Sequence, residues 1–311
     1  MRAMVCTKYG PPEVLQLQER EKPTPKEHEV LIKIRATAVT ASDCIVRGFK
    51  VPRKFWLPMG LVIGFTKPRQ PILGLVLAGE VEGVGKEVKR FHTGNQVYAF
   101  TAFRFGTYAE YTCLPENSVL AVKPSNATYE EAAAIPYGGL LALHFLRKGH
   151  IQSGQNVLIY GASGAVGTAA VQLARYFGAA VTGVCSAANV ALVQSLGAEQ
   201  VLDYTQEEST NSGERYDLIF DAVGKRKSSL LKVQCKQALA PNGIYLSVDD
   251  GRPEVRTEGL LFLKEMKEAG ELKAVIDRRY PLEQVAEAHR YVETGHKKGN
   301  VVITVAQNSL P

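Results

Sequence analysis

The chain has 311 residues, 45% of them apolar and 22% charged, with a formal net charge of +6. That length is more than one compact core needs, so two domains are expected, with the composition of an ordinary soluble enzyme. Its Lys and Arg residues are scattered and form no arginine-rich run, which speaks against a nucleic-acid partner.

In chain order, "MRAMVCTKYGPPEVLQL" alternates like a strand and then turns at Pro11-Pro12. It has neither the apolar h-region nor the cleavage site of a secretory signal. "HEVLIKIRATAV", "AGEVEGVG", "GNQVYAF" and "TYAEYTCLP" read as strands punctuated by Gly and Pro, so the first 120 residues are expected to be β-rich. The longest greasy stretch, "LPMGLVIGF" (57–65), is about half of what a spanning helix needs and holds Pro58, Gly60 and Gly64. No transmembrane segment is therefore expected. "NATYEEAAAIPYGGLLALHFLRKG" reads as a helix, with Thr128 and Glu131 spaced as a capping box.

From here strands and helices alternate. Strand "NVLIY" leads to a helix over about 165–177, and "AVTGV" to a helix around 190–196. "QVLDY" and "YDLIFDAVG" precede a helix near 228–239, and "GIYLSV" closes the series. Strands separated by helices of this length imply a parallel, doubly wound sheet. The tail reads as a helix ending at Gly270, a second from Pro281 to Gly295, and the strand "NVVITV". The five cysteines, Cys6, Cys44, Cys113, Cys185 and Cys235, are odd in number and include no C-x-x-C pair. Reduced thiols in a cytoplasmic setting fit them better than disulfides or a thiolate zinc knot.

"YGASGAVGTAA" (160–170) follows a strand and opens a helix, the setting in which a glycine loop binds a dinucleotide. Gly161 permits a tight turn, Gly164 lets backbone approach a pyrophosphate, and Gly167 lets the helix close on the sheet. Helix-start N–H groups and the helix dipole then meet phosphate charge. About 20 residues on, an NAD site usually carries an acid for the ribose hydroxyls. Here "TGVCSAANV" (182–190) has none, which favours NADPH. Ser186 and Asn189 either donate to its 2′-phosphate or simply cap the following helix.

Several stretches together resemble a zinc-free medium-chain dehydrogenase/reductase of the quinone oxidoreductase group. They are "KYGPPEVLQL", "ATAVTASDCIVRG", "ILGLVLAGEVEGVG", "LIYGASGAVGTAAVQLAR", "SLGAEQVLDY" and "EAHRYVETGHKKGNVVI". The resemblance implies an α/β protein with a GroES-like β-rich catalytic domain (1–121 and 257–311) and a Rossmann domain (122–256), the active site lying in the cleft between them. It places Gly161, Ser163, Gly164, Ala165, Val166 and Gly167 on the pyrophosphate. Ser186, Asn189 and Tyr204 would surround the 2′-phosphate, although Tyr204 could instead pack in the core. Val223 would sit against the nicotinamide ribose, and Ser247 and Val248 would set backbone groups near the carboxamide. Asn300 would close the cofactor site or serve as a turn residue. A homodimer or homotetramer is implied.

The chain departs from its relatives in places. Where zinc alcohol dehydrogenases have G-H-E, it has Gly74-Leu75-Val76, and its six histidines show no ligand spacing, so no metal is expected. Thr40-Ala41 stands for Asn-Pro, Ile45 for a pocket tyrosine and Leu141 for a threonine. Thr40, Asp43 and Arg47 remain as candidate catalytic residues, although Asp43 and Arg47 could simply form an i,i+4 ion pair. Segment 49–71 holds Trp56, Phe55, Met59 and Phe65 among Lys50, Arg53, Lys54, Lys67 and Arg69. It reads as an apolar wall over the substrate, as a flap on a membrane or dimer partner, or as a segment packed on its own domain. The expected activity is NADPH-dependent hydride transfer to a quinone or an α,β-unsaturated carbonyl. The alternative is an NADPH-binding regulatory or scaffold protein without turnover.

Overall fold

The computed structural model describes residues 1–51, 53–205, 214–225 and 230–305, with the side chains of 53–55 and 230 excepted. The chain divides into two compact units, Met1–Pro136 with Ile276–Pro311, and Tyr137–Val275.

The first unit opens with an antiparallel pair, β1 (Arg2–Cys6) and β2 (Leu15–Glu19). The long strand β3 (Glu29–Val39) follows, then helices α1 (Ala41–Arg47) and α2 (Arg53–Ile63). β4 (Val76–Val84), β5 (Gln96–Phe100), β6 (Tyr111–Pro115) and β7 (Val119–Val122) complete its N-terminal part. β3 is central because it pairs antiparallel with β4, β6 and the last strand of the chain. Ile32 and Ile34 on it are fully buried. At Gly79 on β4 a Cβ would lie 2.2 Å from the Lys33 carbonyl, so only glycine lets these strands meet there.

The second unit holds most of α3 (Tyr129–Lys148), then β8 (Asn156–Tyr160), α4 (Ala165–Tyr176) and β9 (Ala180–Cys185). α5 (Val190–Ser195), β10 (Gln200–Asp203), β11 (Tyr216–Asp221), α6 (Leu230–Gln237), β12 (Leu239–Ser247) and α7 (Thr257–Glu268) follow. The sheet is all parallel in the order β10-β9-β8-β11-β12, the doubly wound pattern expected from the alternation. Apolar runs such as "NVLIY" and "YDLIFD" fill it because both faces are covered. The chain then returns to the first unit as β13 (Ile276–Pro281), α8 (Val285–Glu293) and β14 (Asn300–Thr304).

The compact units divide at 136/137 and 275/276, whereas the resemblance implies domains meeting at 121/122 and 256/257. The cause is packing: α7 lies on α3, so that a Cβ at Gly139 would meet Leu263 at 2.7 Å and one at Gly259 would meet Leu140 at 3.0 Å. The helix expected near 228–239 ends at Gln237, and its residues 228–229 lie outside the described residues. β12 begins at Leu239 and carries Pro241, which the sheet tolerates because β12 is the last strand in the order. Segment 49–71 contains α2 despite Pro58. The Thr128–Glu131 capping box is present, with Glu131 N–H on Thr128 Oγ1 at 3.2 Å and Thr128 N–H on Glu131 Oε2 at 3.0 Å.

Candidate functional site

Gly161 and Gly167 take the backbone roles that the loop's spacing predicts. Gly161 takes φ +82°, a left-handed turn that suits glycine. A Cβ on Gly167 would lie 2.1 Å from the Gly161 carbonyl, so α4 can close on the loop only without one. Gly164 differs from both. Its φ of −79° suits any residue, and a Cβ there would meet nothing nearer than the Gly161 carbonyl at 3.6 Å. The protein's own packing therefore does not require a glycine at this position; it leaves open space at the start of a helix. Gly164 is the N-cap of α4 and supplies no side-chain cap, so the dipole end at Ala165, Val166 and Gly167 is left for an anion.

Beside this loop lies a second group. Asn189 is buried, and its Nδ2 donates to Ser163 Oγ in the glycine loop and to Ser186 Oγ beyond β9, both at 3.2 Å. Each serine oxygen accepts, so each hydroxyl keeps its proton for another acceptor. Asn189 Oδ1 is buried with no hydrogen-bond partner. Ser186 and Asn189 stand at N-cap positions, yet neither side chain caps a helix. Tyr204 is half exposed, with its N–H on the Cys185 carbonyl at 3.1 Å, so it stands at the adjoining strand end rather than in the core. A dinucleotide fits these residues. The glycine cradle has room for a pyrophosphate, and residues 182–190 carry no acidic side chain to repel a 2′-phosphate.

Across the switch point, where β8 meets β11, the chemistry is held inward. Asp221, at the end of β11, is fully buried. Its Oδ1 accepts the N–H groups of Val223 and Gly224, each at 3.1 Å. Its Oδ2 lies 2.6 Å from Lys232 Nζ and accepts the Tyr245 hydroxyl at 2.8 Å. This arrangement shapes the turn that presents Val223 against the Gly161 loop. The Ser247 and Val248 amides, expected beside a carboxamide, are taken up by Asp250 and by the Asp221 carbonyl. Sequence reasoning passed over Asp221 and Lys232. The only signal was the charge inside the otherwise apolar "LIFDAVG".

In the first unit the three candidate catalytic residues are all buried. Thr40 is the N-cap of α1 and forms a capping box with Asp43: Thr40 N–H and Oγ1 donate to Asp43 Oδ2 at 2.9 and 2.6 Å. Burial raises the Asp43 carboxyl to about 6, a rise tempered by the Thr40 bonds and by the Tyr108 hydroxyl and Gly74 amide facing it. The expected Asp43–Arg47 ion pair is not formed. Arg47 reaches instead to Glu293 on α8 at 2.6 Å and donates to the Gly10 carbonyl at 3.1 Å. Tyr108 Oη lies 3.2 Å from His289 Nε2, and His289 Nδ1 lies 3.4 Å from Cys44 Sγ. Burial, with Arg47 nearby, lowers His289 to about 3, so the ring is neutral. This web braces α1 against α8. Asn300 is buried at the start of β14.

At the zinc-type position, Gly74 takes φ +97°, with Leu75 and Val76 buried behind it. His28 lies on the surface with Glu27 and Glu87, its Nε2 2.8 Å from Glu87. All five cysteines are free. Burial pushes Cys44 up to about 12 and Cys6, Cys113, Cys185 and Cys235 up to about 11.

A β-rich unit of this topology, joined to a parallel sheet with a glycine-loop cradle, defines a medium-chain dehydrogenase/reductase. Residues 26–124 match the alcohol dehydrogenase GroES-like domain and residues 196–303 the zinc-binding dehydrogenase domain. The chain is 33% identical to the 2-methylene-furan-3-one reductase of Solanum lycopersicum, over 97% of this chain and 79% of that one. It is 31% identical to the chloroplastic NADPH-dependent alkenal/one oxidoreductase of Arabidopsis thaliana, with the same coverage. The solved quinone oxidoreductase from Coxiella burnetii superposes with a TM-score of 0.86 at 27% identity, covering 98% of this chain and 99% of that one. The chain belongs to the medium-chain dehydrogenase/reductase family, in its quinone and alkenal oxidoreductase branch.

Proposed function

We propose that the protein is an NADPH-dependent, zinc-independent oxidoreductase that reduces quinones or α,β-unsaturated carbonyls. The observation that carries this reading is the Ser163–Asn189–Ser186 group beside the open space at Gly164. It supplies phosphate donors at both the pyrophosphate loop and the end of β9, with no acid at the second position. Bound NADPH would supply the hydride. Gly164, Ala165, Val166 and Gly167 would hold the pyrophosphate, Ser186 and Tyr204 the 2′-phosphate, and Val223 the ribose on the far side of the switch point. Orientation and exclusion of water would then do most of the catalytic task. An enone or quinone suits such a site, because its developing oxyanion is stabilised by hydrogen bonds and takes its proton from water.

Zinc independence is supported by the Gly74-Leu75-Val76 stretch, whose side chains offer no ligand. Thr40, Asp43 and Arg47 act in this reading as the brace of α1 rather than as groups on the substrate. Five free cysteines support a reducing compartment such as the cytoplasm. A homodimer or homotetramer is supported by β12, beside which no further strand lies among the described residues. The buried state of all three candidate catalytic side chains favours one competing reading, an NADPH-binding protein without turnover.

The test is loss of NADPH absorbance with a panel of quinones and 2-alkenones, NADH run alongside, before and after exhaustive chelation. Turnover that is faster with NADPH and unaffected by the chelator is expected. Tight NADPH binding without turnover on any acceptor would establish the competing reading.

A further inference from the structure

Between Asp43 and Glu80 the chain carries no acidic residue, yet it holds Arg47, Lys50, Arg53, Lys54, Lys67 and Arg69. The middle of this stretch is α2. Its inner side is firmly seated. The Tyr9 hydroxyl reaches the carbonyls of Ile63 and Gly64, both at 2.9 Å, and Ile63 is buried. Tyr9 packs on Phe49, Phe49 meets Trp56 edge-on, and Trp56 packs on Phe65 with ring centres 5.3 Å apart. Gly60 admits the Phe65 ring, which a Cβ would meet at 2.2 Å.

The outer side is the reverse of an ordinary surface helix. Leu57 and Leu61, spaced i, i+4, are exposed at 61% and 56%, and Trp56 and Val62 stand beside them. Contiguous exposed apolar groups of this size on a water-facing helix mark an interaction surface. Lys67 and Arg69 are exposed at its C-terminal end, while Arg47 and Lys50 pair with Glu293; the side chains of Arg53 and Lys54 lie outside the described residues. Charge selects the occupant. Two copies of an acid-free basic flap placed face to face would set cation against cation, whereas an anionic lipid surface satisfies both the apolar face and the cations around it.

We propose that the outer face of α2 seats the protein on a bilayer bearing anionic headgroups. Trp56, Leu57, Leu61 and Val62 enter the boundary between headgroups and acyl chains, and Lys67 and Arg69 meet the headgroups. No helix among the described residues is long and apolar enough to cross a membrane, so the contact is peripheral. The proposal goes beyond the oxidoreductase reading and stands without it.

Trp56 is the only tryptophan in the chain, so its emission reports on this face alone. The full-length protein is titrated with vesicles of mixed phosphatidylcholine and phosphatidylglycerol, and separately with phosphatidylcholine alone. The expected result is a blue shift of Trp56 emission and co-sedimentation with the anionic vesicles, both reversed by high salt. Lys67→Gln and Arg69→Gln each weaken binding about fivefold. Leu57→Ser with Leu61→Ser abolishes it while the melting curve stays unchanged, since both side chains are exposed. No shift with either vesicle overturns the proposal, and so does equal binding to neutral vesicles. A shift caused by a quinone or enone without lipid, with no vesicle binding, would make α2 a substrate wall. A self-association lost in the double-serine variant, again without vesicle binding, would make it a contact between copies.

Discussion

Two aspartates, one in each unit, are fully buried and shape a turn that the fold depends on, but they are compensated differently. Asp221 receives two backbone N–H groups, a tyrosine hydroxyl and a lysine at 2.6 Å. Asp43 receives its bonds from Thr40 and has no cation against it, because Arg47, one helical turn away, is engaged by Glu293. A cation beside a buried carboxylate favours its charged form. A buried carboxylate without one is pushed toward its neutral form, and the rise of Asp43 to about 6 is the result. Proximity in sequence does not decide partnership; the geometry of the packed helix does.

The sharpest way to break the comparison is to remove the cation. Lys232→Met should destabilise the protein by about 3–5 kcal/mol, because the buried Asp221 carboxyl loses the cation that compensates it. Asp221→Asn added to it should restore much of the loss, read by denaturant unfolding. Next comes the pH dependence of Asp43. Its folded pKa lies above the unfolded value, so the folded state holds the proton more tightly. The stability this gives is full below about pH 4 and is lost as pH rises through about 6. The loss should amount to roughly 2–3 kcal/mol. Asp43→Asn should flatten the slope, seen as a shrinking difference between the two unfolding curves from pH 7 to pH 5.

Asn189→Asp sets a further buried carboxylate beside two serines and, like Asp43, without a cation. It turns the serine protons inward and places negative charge at the proposed 2′-phosphate position. The NADPH-to-NADH ratio of kcat/KM should fall by roughly 10- to 100-fold, with a parallel loss of 2′,5′-ADP binding by calorimetry. Tyr204→Phe, which removes one exposed hydroxyl from the same site, should weaken 2′,5′-ADP binding only a few-fold, by about 0.5–1.5 kcal/mol. A loss as large as that of the Asn189 variant would move the phosphate contact from the serines to the tyrosine.

What was legible in the sequence was local. The glycine loop, the strand–helix alternation and the Thr128 capping box each depend on residues a few positions apart, and all three are present in the structure. Ser186 and Asn189 were singled out for the acid missing at their position, and the structure joins them to Ser163. What was not legible was set by distant packing. Arg47 has a near acid at Asp43, and only the fold brings Glu293 close enough to compete. Lys232 reaches Asp221 across residues whose spacing carries no period. The start of β12 was hidden by Pro241, which reads as a breaker until β12 is known to end the sheet. α2 was hidden by Pro58 and Gly60, tolerated because Tyr9 and Phe65 hold the helix from one side.

The state of the cysteines carries a last consequence. Enones and quinones are Michael acceptors that alkylate thiols through the thiolate. With every thiol raised to about 11 or 12, on the order of one in ten thousand or fewer is ionised at pH 7. Four of the five are also buried. If it acts on such electrophiles as proposed, the protein should keep its activity through many cycles where an exposed, low-pKa thiol would be lost.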